Sequence, residues 1–434
     1  MRSMILKGFL ILLTFSMTYG CAPKIDYNAM EAYMGTNNNC AGVPEYLTGI
    51  EKQYGKNARL LFHMDSAMIY MHCGNFEKSN TSLHKAEEIA EDLWTKSISK
   101  GAASFITNEY SVPYSGEDFE NALINLNSAV NYLMLDNTEE AMVEVRRLDA
   151  LLGVYNDKYK DKNIYKEDAL GRYISGIAYE ATGKASDAFI DYLNAVKAYE
   201  NYAASYSTRV PSVLIEDLAR SALKSGRLDE ARPYLSYGKA DVLERARNYD
   251  KNSARVVLLH YNGKAPVKVQ DKVLVGNMAK PITLVFPRYL TSSPSCTDSR
   301  LTLRNSNGDY VAGAELVEDI NAISVKNLGD RKVRRTAKMI ARAAVKGAIA
   351  NSMERSSNDN VALAGAIFRI ASSALEQADL RAWRTLPAEI YLSSLIIPKG
   401  DYDVFYETCG SEKPMGKISL GAGDTKFLLH RSPY

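Results

Sequence analysis

Gly176-Ile177-Ala178-Tyr179-Glu180-Ala181-Thr182-Gly183-Lys184-Ala185-Ser186-Asp187-Ala188-Phe189-Ile190-Asp191-Tyr192-Leu193-Asn194-Ala195 decides how this chain of 434 residues is read. Small and aromatic residues stand at helical offsets in it: Gly176, Tyr179, Gly183, Ala185, Ala188, Tyr192 and Ala195. The same offsets return at Ala67, Tyr70, Gly74, Phe76, Ser79, Leu83 and Ala86. Looser copies run Ala129, Tyr132, Asp136, Thr138, Ala141, Val145, Leu148, and Ala219, Ala222, Gly226, Leu228, Ala231, Leu235. Two helices of a hairpin approach closely only where small residues face each other, and glycine permits the tight turn between them. Tyr and Leu at the intervening positions fill holes against the neighbouring hairpin. One hairpin cannot bury its apolar side alone, so at least three must stack. A plain antiparallel helical domain, with alanine spacing set by packing only, is the alternative.

This pattern resembles the tetratricopeptide repeat. The resemblance implies an α-solenoid over residues 51–250 with a concave surface suited to a peptide or a partner helix. The turn anchors Gly74, Asp136, Gly183 and Gly226 are 62, 47 and 43 residues apart, against about 34 in the ideal repeat. The array is therefore irregular, with residues 101–115 as an insertion between hairpins. Glu144 and Arg147 lie three apart on one helix, where an exposed ion pair contributes only tenths of a kcal/mol. The functional reading puts Arg146 or Arg147 in the concave groove as a partner anchor, since Arg is enriched in binding hot spots.

Past Asp250 the period changes. Residues 255–260, 282–286, 300–303, 389–395, 402–406, 416–420 and 425–429 are short β-rich runs. Asn262-Gly263, Pro266, Pro287, Pro294, Asn307-Gly308 and Pro398-Lys399-Gly400-Asp401 punctuate them. An antiparallel β-sandwich over residues 251–434 is the economical expectation, interrupted by a helical insertion at about 315–378. In that insertion Ala337, Ile340, Ala344 and Ala348 share one helix face, and Arg331, Arg335, Lys338, Arg342 and Lys346 line another. The basic stripe suits anionic lipid heads or an acidic partner; a solvated face, or docking onto the acidic first half, is the alternative. Trp383, flanked by Arg381 and Arg384, reads as an exposed clamp or as core where the insertion rejoins the sheet. With Tyr402 and Tyr406 it would also serve a glycan-binding β-domain by stacking on sugars.

The first residues carry a different signal. Arg2 and Lys7 lead into the apolar run at 8–17, which ends at Thr18-Tyr19-Gly20-Cys21. The run is too short to span a bilayer and has the layout of a secretory leader. It resembles a bacterial lipoprotein signal, although Thr18 stands where such signals usually have Leu. That resemblance implies cleavage after Gly20, acylation of Cys21 and a lipid-anchored segment at 21–50. Ala22 after the cysteine implies the outer membrane, facing the periplasm. Cys40, Cys73, Cys296 and Cys409 remain, and the compartment permits disulfides. Three pairings exist; Cys40 with Cys73 and Cys296 with Cys409 keeps each bond inside one domain, and four free buried thiols is the alternative.

Residues 1–250 hold 27 Lys and Arg against 34 Asp and Glu, and residues 251–434 hold 26 against 17. Such halves attract each other or different partners. No basic run interleaved with aromatics points to nucleic acid. No phosphate loop, dinucleotide fingerprint, nucleophile elbow or zinc-ligand spacing is present, so no enzyme, cofactor or metal is expected. Residues 129–133, 140–148, 262–266 and 379–387 resemble a family of bacterial outer-membrane lipoproteins with tetratricopeptide-like repeats and a C-terminal β-domain. The resemblance implies a cell-envelope scaffold that binds a periplasmic or outer-membrane protein, in peptidoglycan synthesis or envelope assembly. A peptidoglycan-binding β-domain and an accessory to an export channel are the alternatives.

Overall fold

The computed structural model describes residues 25–36, 40–99, 112–159, 165–248, 252–277, 280–374 and 377–432. The leader with Cys21 and most of the expected insertion at 101–115 lie outside the described residues. The chain has an N-terminal helical region followed by β-sheets that enclose a helical insertion.

Two leading helices, α1 (Tyr27–Thr36) and α2 (Val43–Tyr54), precede the hairpins. The first pair is α3 (Arg59–His72) and α4 (Phe76–Ser99), the second α5 (Asp118–Met134) and α6 (Thr138–Tyr159). The third is α7 (Ala169–Ala181) and α8 (Ala185–Tyr206), followed by α9 (Ser212–Ser225). Each turn falls at the expected anchor with left-handed backbone: Gly74 (φ 68°), Asp136 (φ 56°), Gly183 (φ 76°) and Gly226 (φ 72°). Asp is among the few other side chains that tolerate this region. The partner of α9 is broken into α10 (Leu228–Ala231), a 3-10 turn at Arg232–Tyr237 and α11 (Val242–Arg247). Pro233 sits at the start of the turn, where its missing N–H is tolerated but an α-helix cannot run through it.

Small residues do the expected packing. A Cβ on Gly176 would lie 2.5 Å from the Tyr192 ring Cε1, so α7 and α8 meet at a distance only glycine allows. Ser79 donates to the Ala67 carbonyl across the first hairpin at 2.9 Å, and Asn131 of α5 donates to Ser79 and Asn80 at 2.8 and 2.7 Å. These bonds pair buried polar groups that would otherwise cost stability.

The strands are β1 (Ser253–Asn262), β2 (Val267–Asn277), β3 (Lys280–Leu290), β4 (Ser299–Asn305), β5 (Gly308–Gly313), β6 (Glu315–Asp319), β7 (Glu389–Pro398), β8 (Gly400–Thr408), β9 (Ser411–Leu420) and β10 (Thr425–Arg431). They form a sheet ordered β10-β1-β7-β6, a second ordered β5-β4-β8-β9, and a separate β2-β3 hairpin. The all-antiparallel expectation is corrected, because the final strand returns beside β1 in parallel, Arg255 opposite Thr425 through Tyr261 opposite Arg431. The insertion is shorter than expected: residues 315–319 are a strand on β7, and the helices are α12 (Ile320–Asp330), α13 (Lys332–Glu354) and α14 (Asp359–Ala374).

The two halves share a core. Val257, Leu259 and Tyr261 of β1 pack into the cluster that runs through the hairpins, while Ala254, Val256 and Leu258 pack with Leu301, Leu303, Val404 and Tyr406 of the second sheet. The first sheet thus lies between helices and the second sheet, and β1 is buried along its whole length. Cys40 is bonded to Cys73 and Cys296 to Cys409, each with 5.4 Å between Cα atoms.

The close approach at Gly176 gives a paired prediction. Adding a methyl in mid-helix gains about 1 kcal/mol from propensity, but overpacking costs about 1–3 kcal/mol. Gly176→Ala should lower unfolding free energy by up to about 2 kcal/mol in urea titrations. Gly153→Ala, in α6 with nothing within 4 Å of its Cβ, should raise it by about 0.5–1 kcal/mol.

Candidate functional site

The surface that a repeat array would offer to a ligand is built from the first helix of each hairpin. Here α3, α5 and α9 each turn a buried carboxylate, and α7 the largely covered Glu180, toward the chain's own C-terminal half. They fall into two groups, one on α3 and α5 and one on α7 and α9.

On α3, Asp65 is fully buried and accepts from the Thr385 hydroxyl at 2.6 Å, the Tyr54 hydroxyl at 2.8 Å and the Tyr27 hydroxyl at 3.4 Å. Burial pushes its carboxyl up to about 7, with the Thr385 and Tyr54 hydrogen bonds opposing. Thr385 in turn accepts from the Trp383 indole N–H at 3.0 Å. On α5, Glu117 and Glu120 form a capping box at the helix start. Glu120 accepts from the Trp383 backbone N–H at 2.8 Å and from the Tyr114 hydroxyl. Burial raises its pKa, with Lys268 the main opposing charge. Glu117 receives the buried Lys268 ammonium at 2.6 Å and Arg331 at 2.7 Å, and Arg331 also pairs with Asp118.

The densest node joins α7, α9 and β1. Arg220 donates to Glu180 at 2.7 and 2.6 Å and to Asp217 at 2.5 Å. Arg255 of β1 donates to Asp217, to Glu180 at 3.3 Å, to the Tyr192 hydroxyl at 3.2 Å and to Ser394 at 3.1 Å. Tyr173 adds its hydroxyl to Asp217 at 2.8 Å. Burial alone would raise the Glu180 carboxyl, but Arg220, Arg255 and Lys224 together hold it well below the usual range. A cleft of about 480 Å³ opens beside this node, lined in part by Glu216, Arg245, Glu315 and Ser394. Glu315 of β6 caps α9 by accepting from the Ser212 and Val213 N–H groups at 2.7 and 3.2 Å.

The inner face is therefore in contact with the chain's own C-terminal half. The residues singled out from sequence scatter. Arg146 is exposed on α6, and half-exposed Arg147 bonds Glu87 at 3.2 Å and buried Glu144 at 3.3 Å. His84 lies 3.5 Å from Glu144, whose hydrogen bond raises the imidazole pKa. Both arginines sit on the second helix of their hairpin, away from the carboxylate row. Trp383 is 1% exposed, which removes the clamp reading and leaves it as core. Tyr402 and Tyr406 are buried at 2% and 0%, so the three rings offer no platform for a sugar. Among the described residues no group of three or more His, Cys, Asp or Glu could hold a metal ion.

No family model matches the chain, and no curated protein matches it. Among solved structures, "Crystal structure of MamA" is 15% identical over 48% of this chain and 86% of that one, with TM-score 0.27. "MamA MSR-1 C2" is 12% identical over 51% and 92%, with TM-score 0.28. "MamA AMB-1 C2221" is 13% identical over 44% and 99%, with TM-score 0.20. Likenesses at these scores carry no argument here.

Two outcomes follow from the buried nodes. Removing one partner of a buried charge cluster costs about 3–5 kcal/mol, so Arg255→Met should lower the unfolding free energy by that amount in urea titrations followed by circular dichroism. Asp65 sets a pH dependence. Its carboxyl, ordinarily near 3.8, titrates near 7 when folded, so the folded chain holds a proton that the unfolded chain releases. Its contribution is full below about pH 4 and lost as pH rises through about 7. Asp65→Asn lacks this loss. Between pH 5 and pH 8 the melting temperature of the variant should gain on the parent, by on the order of 2 kcal/mol in stability.

Proposed function

We propose that this chain is a lipid-anchored cell-envelope scaffold, held to the outer membrane through acyl chains on Cys21 and facing the periplasm. It does no chemistry of its own: its work is to present a composite surface to an envelope protein partner. The observation that carries this reading is the filled inner face. A tetratricopeptide-like array normally spends that face on a ligand; here Asp65, Glu120, Glu180 and Asp217 spend it on residues 255–385 of the same chain. The array and the sheets, with β1 shared in the manner of a helix-covered β-sandwich, make one platform. A partner then meets the outer surfaces, where Arg146 is exposed and Arg147 half-exposed.

The leader supports the anchor. Several acyl chains on one residue exceed the roughly two hydrophobic signals that stable anchoring takes. Cys21→Ser should move the protein from the membrane fraction to the soluble fraction, and mass spectrometry of the parent should find an acylated cysteine at the mature N-terminus. In native envelopes, a photoreactive residue at position 146 should capture a discrete protein, and one at buried position 382 should capture none. Capture from 382, or no capture from any outer position on the helices, would remove the scaffold reading.

A further inference from the structure

Helices α13 and α14 form a hairpin over residues 332–374 that belongs to neither core. It meets the body at β3 and at α12. Ala350 and Arg342 are the buried residues that stand out among its described side chains. Several of its apolar residues are exposed: Ile340 is 53% and Leu363 60% exposed, with Val345, Ile349, Val361 and Ile367 also exposed, while Met339, Met353 and Phe368 are partly covered. The neighbouring β2-β3 hairpin and α12 add exposed Val273, Leu290 and Val325. Scattered apolar residues on a surface need no explanation, but so many on one protruding element mark an interaction site.

The charge of the segment selects the partner. Residues 332–374 contain eight Lys and Arg against two Asp and Glu, and Glu354 is already paired with Arg369 at 2.8 Å. Apolar side chains combined with a basic excess suit an anionic bilayer surface. A protein partner fits less well, because Lys is depleted at protein interface cores, and Lys332, Lys338 and Lys346 lie in this helix. No described helix is long and apolar enough to cross a membrane.

The chain that follows the hairpin runs to β2 and then to the first helices. Residues 377–384 follow directly from it, with the Ala378 N–H donating to Gln270 at the foot of β2 at 2.8 Å. Four residues later the Ala382 carbonyl accepts from Tyr27 of α1 at 3.4 Å, and Arg384 bonds Glu31 at 3.0 Å. We propose that the α13–α14 hairpin is a membrane-surface module that lies on anionic lipid headgroups.

The test uses residues 22–434, which keep every described residue and lack the acylated cysteine, so a negative result bears on the hairpin and not on the anchor. Phosphatidylglycerol vesicles should sediment at least about tenfold more protein than phosphatidylcholine vesicles, with the difference shrinking as salt rises. Ile340→Glu with Leu363→Glu should abolish capture while leaving the melting curve in place, since both residues are exposed. Independently, Leu363→Trp should show a blue-shifted emission component on addition of anionic vesicles. Equal capture by both lipids, capture unaffected by the double substitution, or an unshifted Leu363→Trp spectrum would overturn the proposal. Self-association or binding to an acidic protein without vesicle binding would reassign the surface.

Discussion

Everything in this molecule depends on burying both faces of β1. Its residues alternate between two cores, and the helix-facing set begins with Arg255, a charge that must be paired once water is excluded. Glu180, Asp217 and Arg220 meet that requirement from α7 and α9, with Tyr173 and Tyr192 completing the hydrogen bonds. A buried cluster of this kind adds little stability over an apolar replacement, but it penalises every arrangement in which the charges fail to meet. It therefore acts on register: Arg255 finds its partners only when α7, α9 and β1 sit as they do.

The same logic explains the charge asymmetry. The acidic half supplies Asp65, Glu117, Glu120, Glu180 and Asp217, and the basic half answers with Arg255, Lys268 and Arg331 and with the Thr385 hydroxyl and Trp383 amide. An array whose binding face is filled from within differs from a receptor with an empty groove. It also differs from two domains on a linker, because the first core runs through both halves. The outside of the helices and much of the α13–α14 hairpin remain exposed. Arg146 and Arg147 remain on that outside, whereas Trp383, the other residue marked from sequence, closes the junction.

The hairpins were legible because close helix contacts demand small residues at fixed offsets, and all four turn anchors kept their left-handed backbone. Strand existence was legible from β-branched runs, yet β2, β5 and β6 were not found. Glu315–Asp319 is acidic at three of five positions, and its role as a strand comes from pairing with β7 and from capping α9, both tertiary. The parallel placement of β10 has no local cause either. For the site, the available signal was a charge inside an apolar run: Asp65 between Met64 and Ala67, and Arg255 before Val256-Val257-Leu258-Leu259. Such residues need buried partners, but a single sequence does not say which. Trp383 illustrates the limit, since arginines on both sides suggested a clamp and instead bond Asp379, the Asn57 carbonyl and Glu31.

Native-state hydrogen exchange tests the claim that helices and sheet are held as one unit by these nodes. The account predicts that the amides of β1 from Arg255 to Tyr261 and those of α7 and α9 share one opening free energy, and that Glu180→Gln lowers all of them together. Helices that exchange at their own lower free energy while β1 stays protected, or a Glu180→Gln effect confined to α7, would contradict it.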